Sequence, residues 1–204
     1  MISAKKILFL IGISLSLSAC GTLFGSEEIS QFNEPRFQNE TPIELNVNKI
    51  DIISEFTPSF TRPNVEHLLP VSIEKTAKLW GQDRLKAADF SSSKVAEVII
   101  KDASVTEELE ESDQIFEQDK VKYSARLVVS VKISDTSSMS QASTEVEAWR
   151  SLTIPANTDI AAKEEYWNSM VEKLFNDFNE RMTSEIKQNL NAYLKNQEIV
   201  PTYY

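Results

Sequence analysis

Side chains able to act as nucleophiles, soft-metal ligands or proton shuttles are scarce in this chain. Its 204 residues contain one cysteine, Cys20, and one histidine, His67. A tetrahedral zinc site draws on several Cys and His ligands, which this supply cannot furnish. A Ser-His-acid triad would have to run through His67, yet the surrounding Asn64-Val65-Glu66-His67 contains no nucleophile elbow. Phosphate-cradling loops need clustered glycines, and the four glycines stand apart at 12, 21, 25 and 81. The 31 acidic residues could supply a glycosidase pair, but a domain of this size leaves little room for the cleft such enzymes use. Acids are densest over 107–119, where the alternating pattern and central glycine of a calcium loop are missing. A solvated hairpin loop is the expectation there. No catalytic residue, metal or cofactor is expected, and His67 reads as a loop or helix-entry residue.

The chemistry that Cys20 does suggest lies in its surroundings. Lys5 and Lys6 open the chain, residues 7–17 form an apolar run, and Leu17-Ser18-Ala19-Cys20-Gly21 follows. The run is too short for a bilayer crossing, which takes roughly 20 apolar residues. A charged start, a short apolar stretch and small residues before a cut site describe an export signal that is removed. Leu17-Ser18-Ala19-Cys20 resembles the lipobox of bacterial lipoproteins. That resemblance implies cleavage between Ala19 and Cys20 and thioether linkage of Cys20 to a diacylglycerol. Two or three acyl chains hold a protein stably on a membrane, whereas one is marginal. In that family an aspartate after the cysteine commonly retains the protein at the inner membrane. Gly21 stands there instead, so an outer-membrane, periplasm-facing location is expected. With Cys20 acylated, no thiol remains for a disulfide, and the fold must rest on its core. The 185 residues that follow the cut suffice, because a chain of that length buries about two-thirds of its unfolded surface.

Without the signal the chain carries 19 basic and 31 acidic residues, a net charge of −12. Such a surface repels nucleic acid phosphates and anionic head groups, so no nucleic acid partner is expected.

The elements that must present any binding surface begin after a tether. Residues 20–42 mix Gly, Ser, Asn, Gln and Glu with Phe24, Phe32 and Phe37 and show no sustained period. The aromatics could dock on the domain or lie against the membrane. The folded domain is expected over 43–198, with 199–204 a short tail. Residues 43–53 alternate as a strand whose phase shifts near Asn48-Lys49, suggesting a bulge. Pro58, Pro63 and Pro70 punctuate a loop. Ser72 is placed to cap a helix running to about residue 88, with Ile73, Ala77, Trp80 and Arg84 on one face. Arg84 is expected to cover the core edge with its aliphatic stem. Residues 95–105 read as a strand. From Tyr123 to Ile133, six apolar residues alternate with Ser124, Arg126, Val128, Ser130, Lys132 and Ser134: an antiparallel strand with one wet face. Residues 144–154 are its partner, with Trp149 on the opposite face from Val146 and Ala148. Asn157, Thr158 or Asp159 caps a final helix whose stripe runs from Ile160 through Trp167, Leu174, Phe178 and Ile186 to Tyr193. The fold class is α+β: a two-layer domain, an antiparallel four-stranded sheet with both helices on one face, in the order β-α-β-β-β-α.

In that order of elements, the domain resembles the auxiliary lipoproteins of ABC-type lipid and solvent-tolerance transport systems. Residues 43–53, the helix with Leu79-Trp80-Gly81-Gln82-Asp83-Arg84-Leu85, the strand 123–133 and the final helix carry the resemblance. Pro63-Asn64-Val65-Glu66-His67 with Trp80 and Asp83-Arg84-Leu85 is also similar to uncharacterised lipoproteins of alphaproteobacteria. The first likeness implies a non-enzymatic accessory in envelope lipid transport or assembly, with an envelope transport complex, and lipid, as partners; the second brings no known activity. They bring no site residue. A second reading is the lipopolysaccharide-assembly lipoprotein that plugs an outer-membrane barrel, against which the net charge of −12 counts. A third is an envelope protein acting by protein contacts alone. Val128 and Trp149, on the wet face, mark the candidate docking surface.

Overall fold

The computed structural model describes residues 32–112 and 118–195. Ala19, Cys20 and the terminal tail lie outside the described residues. The strands are β1 Ile43–Leu45, β2 Lys49–Ser54, β3 Leu85–Ala87, β4 Lys94–Glu110, β5 Lys120–Asp135 and β6 Gln141–Pro155. The helices are α1 Ile73–Arg84 and α2 Ile160–Asn189. The α+β class holds: a four-stranded sheet, order β2-β4-β5-β6, carries both helices.

The period-two stretch sets the centre of that sheet. Tyr123, Ala125, Leu127, Val129, Val131 and Ile133 of β5 are all buried. They stand in register with Ala96, Val98, Ile100, Ala103 and Val105 of β4 on one side and Val146 and Ala148 of β6 on the other. A register shift between Ile100 and Asp102 lets β4 keep its apolar residues inward over 17 residues. α2 lays Trp167, Met170, Val171, Leu174, Phe175, Phe178, Met182 and Ile186 on this face. Each such buried side chain contributes about 1.5–3 kcal/mol. α1 lies on the same face, since Trp80 meets the edge of Phe178 at a centroid distance of 5.0 Å. Gly81 permits its close approach, because a Cβ there would stand 3.0 Å from Ile52 Cδ1. The caps follow chemistry: Ser72 accepts from Lys75 N–H, and Asp159 from Ala162 N–H.

Five details differ from the expectation. The sheet is not wholly antiparallel, because β2 pairs parallel with β4, Ile52 opposite Val98. The chain between them returns through α1, and a helical crossover brings a strand back in the same direction. The phase shift near Asn48-Lys49 is not a bulge but a change of partner: β1 joins β3 in a separate two-stranded parallel ladder. α1 stops at Arg84 rather than near 88, as Leu85 turns extended into β3. β4 continues to Glu110 instead of ending near 105, because Glu108 and Glu110 face Lys122 and Lys120 across the hairpin and opposite charges sustain the pairing. Ile160, expected on the buried stripe, is exposed at the first turn of α2.

Candidate functional site

Residues 33–42 carry no periodic pattern, yet they are fastened along α1 by charged groups. Glu34 pairs with Lys75 Nζ at 2.7 Å, and that hydrogen bond holds the Glu34 carboxyl below its ordinary range. Arg36 grips Asp83 with a two-pronged fork, Nε to Oδ2 at 2.8 Å and Nη2 to Oδ1 at 2.7 Å. The Phe37 N–H donates to Asp83 Oδ2 at 3.0 Å, and its ring is buried. The Arg36 hydrogen bond, more than any other cause, lowers the Asp83 pKa, while burial opposes it. Of the aromatics in the expected tether, Phe37 is in the core and Phe32 packs against it, while Phe24 lies outside the described residues.

Arg84 sits deeper, with its side chain 4% exposed. Its Nε donates to Asn179 Oδ1 at 2.9 Å, its Nη2 to Thr183 Oγ1 at 3.0 Å, and its Nη1 to the Thr41 carbonyl. Asn179 Oδ1 also accepts from Trp80 Nε1 at 2.9 Å. Its Nδ2 reaches both Glu40 carboxylate oxygens at 3.0 Å, and Glu40 Oε2 lies 3.3 Å from Arg84 Nη2. Arg84 is thus a buried cation held by four partners rather than a stem covering the core edge. Each guanidinium nitrogen is engaged, so the cluster serves as a clamp between strap, α1 and α2. Sequence reading missed Arg36, Glu40, Asp83 and Asn179. The available signal was a lone charge, Arg84, on the apolar face shared with Ile73, Ala77 and Trp80.

The face of the sheet opposite the helices carries the two residues singled out for docking. Val128 is in register with Asp102 on β4 and Glu147 on β6. Arg126 bonds both of those carboxylates, reaching Glu147 at 2.7 Å. Lys101–Glu145 at 2.7 Å and Lys132–Glu97 at 3.4 Å continue the ladder. Under these pairs Val128 is only 6% exposed. Trp149 is 70% exposed beside a groove of about 470 Å³ lined by Arg150, Asp177, Glu180 and Arg181. Arg181 donates to the Glu147 carbonyl at 2.7 Å, and Arg150 bonds Asp177. Val128 and Trp149 share a face, but charged side chains separate them and no continuous apolar patch forms.

A second groove, about 600 Å³, lies between the 55–72 loop and the start of α2. Leu109, Val121 and Tyr123 line it, with Arg62 and Lys163 at its rim. Tyr123 meets the edge of Trp167 at 5.3 Å, and burial raises its phenol pKa. His67 occupies a 3₁₀ turn, Glu66–Leu68, with its ring 5.4 Å from that of Phe60. Among the described residues, no three His, Cys, Asp or Glu side chains come together as a metal site. No helix among them is long and apolar enough to cross a membrane.

No protein family and no curated relative matches the sequence. Solved structures similar to this chain include a minor lipoprotein from Acinetobacter baumannii, at 13% identity and a TM-score of 0.39 over 75% of this chain and 98% of that one. A structure described as a neuraminyllactose-binding hemagglutinin homolog from Helicobacter pylori matches at 13% identity and 0.34, over 71% and 88%. Rare lipoprotein B from Shewanella oneidensis matches at 12% identity and 0.26, over 67% and 98%. Likenesses of this strength assign the chain neither a family nor an activity.

Proposed function

We propose that this chain is a non-enzymatic envelope lipoprotein, held on the membrane through acylated Cys20 and presenting its α+β domain to the periplasm as an accessory in lipid transport or assembly. The observation that carries this reading is Leu17-Ser18-Ala19-Cys20 at the end of a short apolar run behind Lys5 and Lys6. The clamp on residues 34–41 supports it by limiting reach. Only the dozen residues from Cys20 to Phe32 separate the lipid from the packed domain, at most about 40 Å fully extended. A domain so tied works at the membrane surface. Gly21 after the cysteine favours the outer membrane.

The test is affinity purification of the tagged full chain from gently solubilised envelopes, with co-purifying proteins and lipids identified by mass spectrometry. A transporter permease, a substrate-binding subunit or an enriched phospholipid is the expected result. A large β-barrel with lipopolysaccharide would favour the assembly-lipoprotein reading instead. Recovery of neither from folded protein would leave an envelope protein acting by contacts alone.

A further inference from the structure

Nine large apolar side chains among the described residues are exposed, and their distribution is uneven. Phe60 and Leu68 stand on the loop before α1, Leu109 near the end of β4, and Ile160 and Tyr166 in the first turns of α2. The fold brings these positions to one end. The Val65 N–H bonds the Val105 carbonyl and the Glu107 N–H bonds the Pro63 carbonyl, fixing the loop beside the far half of β4. Pro155, four residues before the cap of α2, pairs with Lys120, which itself pairs with Glu110 of β4. Arg62, Leu109 and Lys163 line one groove, so loop, hairpin and helix start adjoin each other.

The chain leaves the domain toward this end. Glu34 meets Lys75 in the first turn of α1, whereas Glu40 meets Arg84 in the last, so the strap runs parallel to the helix. Traced back toward Cys20, it exits where α1 begins, directly after the loop that carries Phe60 and Leu68. We infer that this end, Phe60, Leu68, Leu109, Ile160 and Tyr166, rests in the interfacial layer of the bilayer that holds the Cys20 lipid. The inference rests on the anchored reading. Exposed aromatic and aliphatic groups beside Arg62, Lys163 and Lys120 suit a layer that is apolar below and polar above. Of the hairpin acids, Glu108 and Glu110 face Lys122 and Lys120 and Glu107 pairs with Arg62 at 2.9 Å, while Glu111 and Asp119 count against an anionic surface. A zwitterionic phospholipid surface is therefore the occupant that fits. Anchor and apolar end act together: the lipid keeps the domain at the surface, and the weak insertion of single side chains then sets its orientation.

The test uses the lipidated full chain in phosphatidylcholine vesicles. Acylated Cys20 leaves no free thiol, so Phe60→Cys or Leu109→Cys carries a single environment-sensitive NBD label. Met139→Cys, in the β5–β6 turn at the opposite end, is the control. Vesicle flotation is read alongside. The expected result is flotation of all three, with a severalfold rise in NBD emission at 60 and 109, quenched by spin-labelled phospholipid, and no change at 139. Flotation with 60 and 109 as dim as 139 would overturn the bilayer contact and leave the anchor standing. Brightening at 60 and 109 only with protein-containing native envelopes would also overturn it, assigning that end to a protein partner. Failure of every variant to float would overturn both the contact and the anchored reading.

Discussion

Arg84 and Arg126 are the same side chain put to different use on the two faces of one sheet. On the helix side, Arg84 is 4% exposed and bound by Asn179, Thr183, Thr41 and Glu40. On the open side, Arg126 is 48% exposed and pairs with Asp102 and Glu147. Water can replace the partners of Arg126 at little cost; the Arg84 guanidinium and its partner Asn179 are both buried, although Glu40 at the rim is 43% exposed. Exposed ion pairs contribute about 0–1 kcal/mol, whereas removing one member of a buried network strands the others. The helix face is thus where polar residues fix the position of the strap, and the open face is where exposed ion pairs link neighbouring strands.

The largest effect is expected at the buried cation. Arg84→Met should destabilise the domain by about 2–3 kcal/mol in urea unfolding, since the buried Asn179 carbonyl and the part-buried Thr41 carbonyl and Thr183 hydroxyl lose a charged donor. It should also make the segment before Pro42 susceptible to proteolysis while the sheet stays folded. An Arg84→Met variant as stable as the parent would remove the distinction between the two faces.

Asp83→Asn comes next, at about 1–2 kcal/mol near neutral pH, because Arg36 is itself half in water. Its signature is pH. The folded-state pKa of Asp83 is depressed, chiefly by Arg36. Its contribution is therefore complete above the ordinary Asp value of about 3.9 and fades as pH falls through the lower folded value. The stability gap between parent and Asp83→Asn should narrow below about pH 4; a gap constant down to acid pH would contradict the assigned pairing.

Arg126→Ala should cost the least, within about 1 kcal/mol, with an effect that shrinks further in high salt. A larger, salt-insensitive loss would mean that the open face is structural in the same sense as the helix face.

How much of this was legible in the sequence follows from what each pattern encodes. The alternation from Tyr123 to Ile133 and the stripe from Trp167 to Ile186 are dictated by one buried face, so periodicity finds them. Ser72 and Asp159 declare themselves as caps because a short polar side chain must precede the first free N–H groups. The parallel pairing of β2 with β4 was implied by a strand, a helix and a strand in succession, but the direction of a six-residue strand leaves no mark on its composition. The strap is the opposite extreme. Arg36 and Asp83 are 47 residues apart, and Asn179 and Glu40 are 139 apart. Single polar residues that pair at such separations impose no period, so residues 33–42 looked like linker. Trp149 was placed on the correct face by counting, but that Arg126 would cover Val128 and leave Trp149 bare depended on side chains from three strands.

All of this matters to function through Cys20, which makes the covalent state of the N-terminus the decisive observable. Intact-mass spectrometry of the full chain purified from envelopes, alongside membrane fractionation of the parent and Cys20→Ala, tests it directly. The expected result is a chain beginning at Cys20, heavier by a diacylglycerol with or without a further acyl group, and release of Cys20→Ala from the membrane fraction. A parent chain that retains residues 1–19, or one cleaved without added lipid, would contradict it.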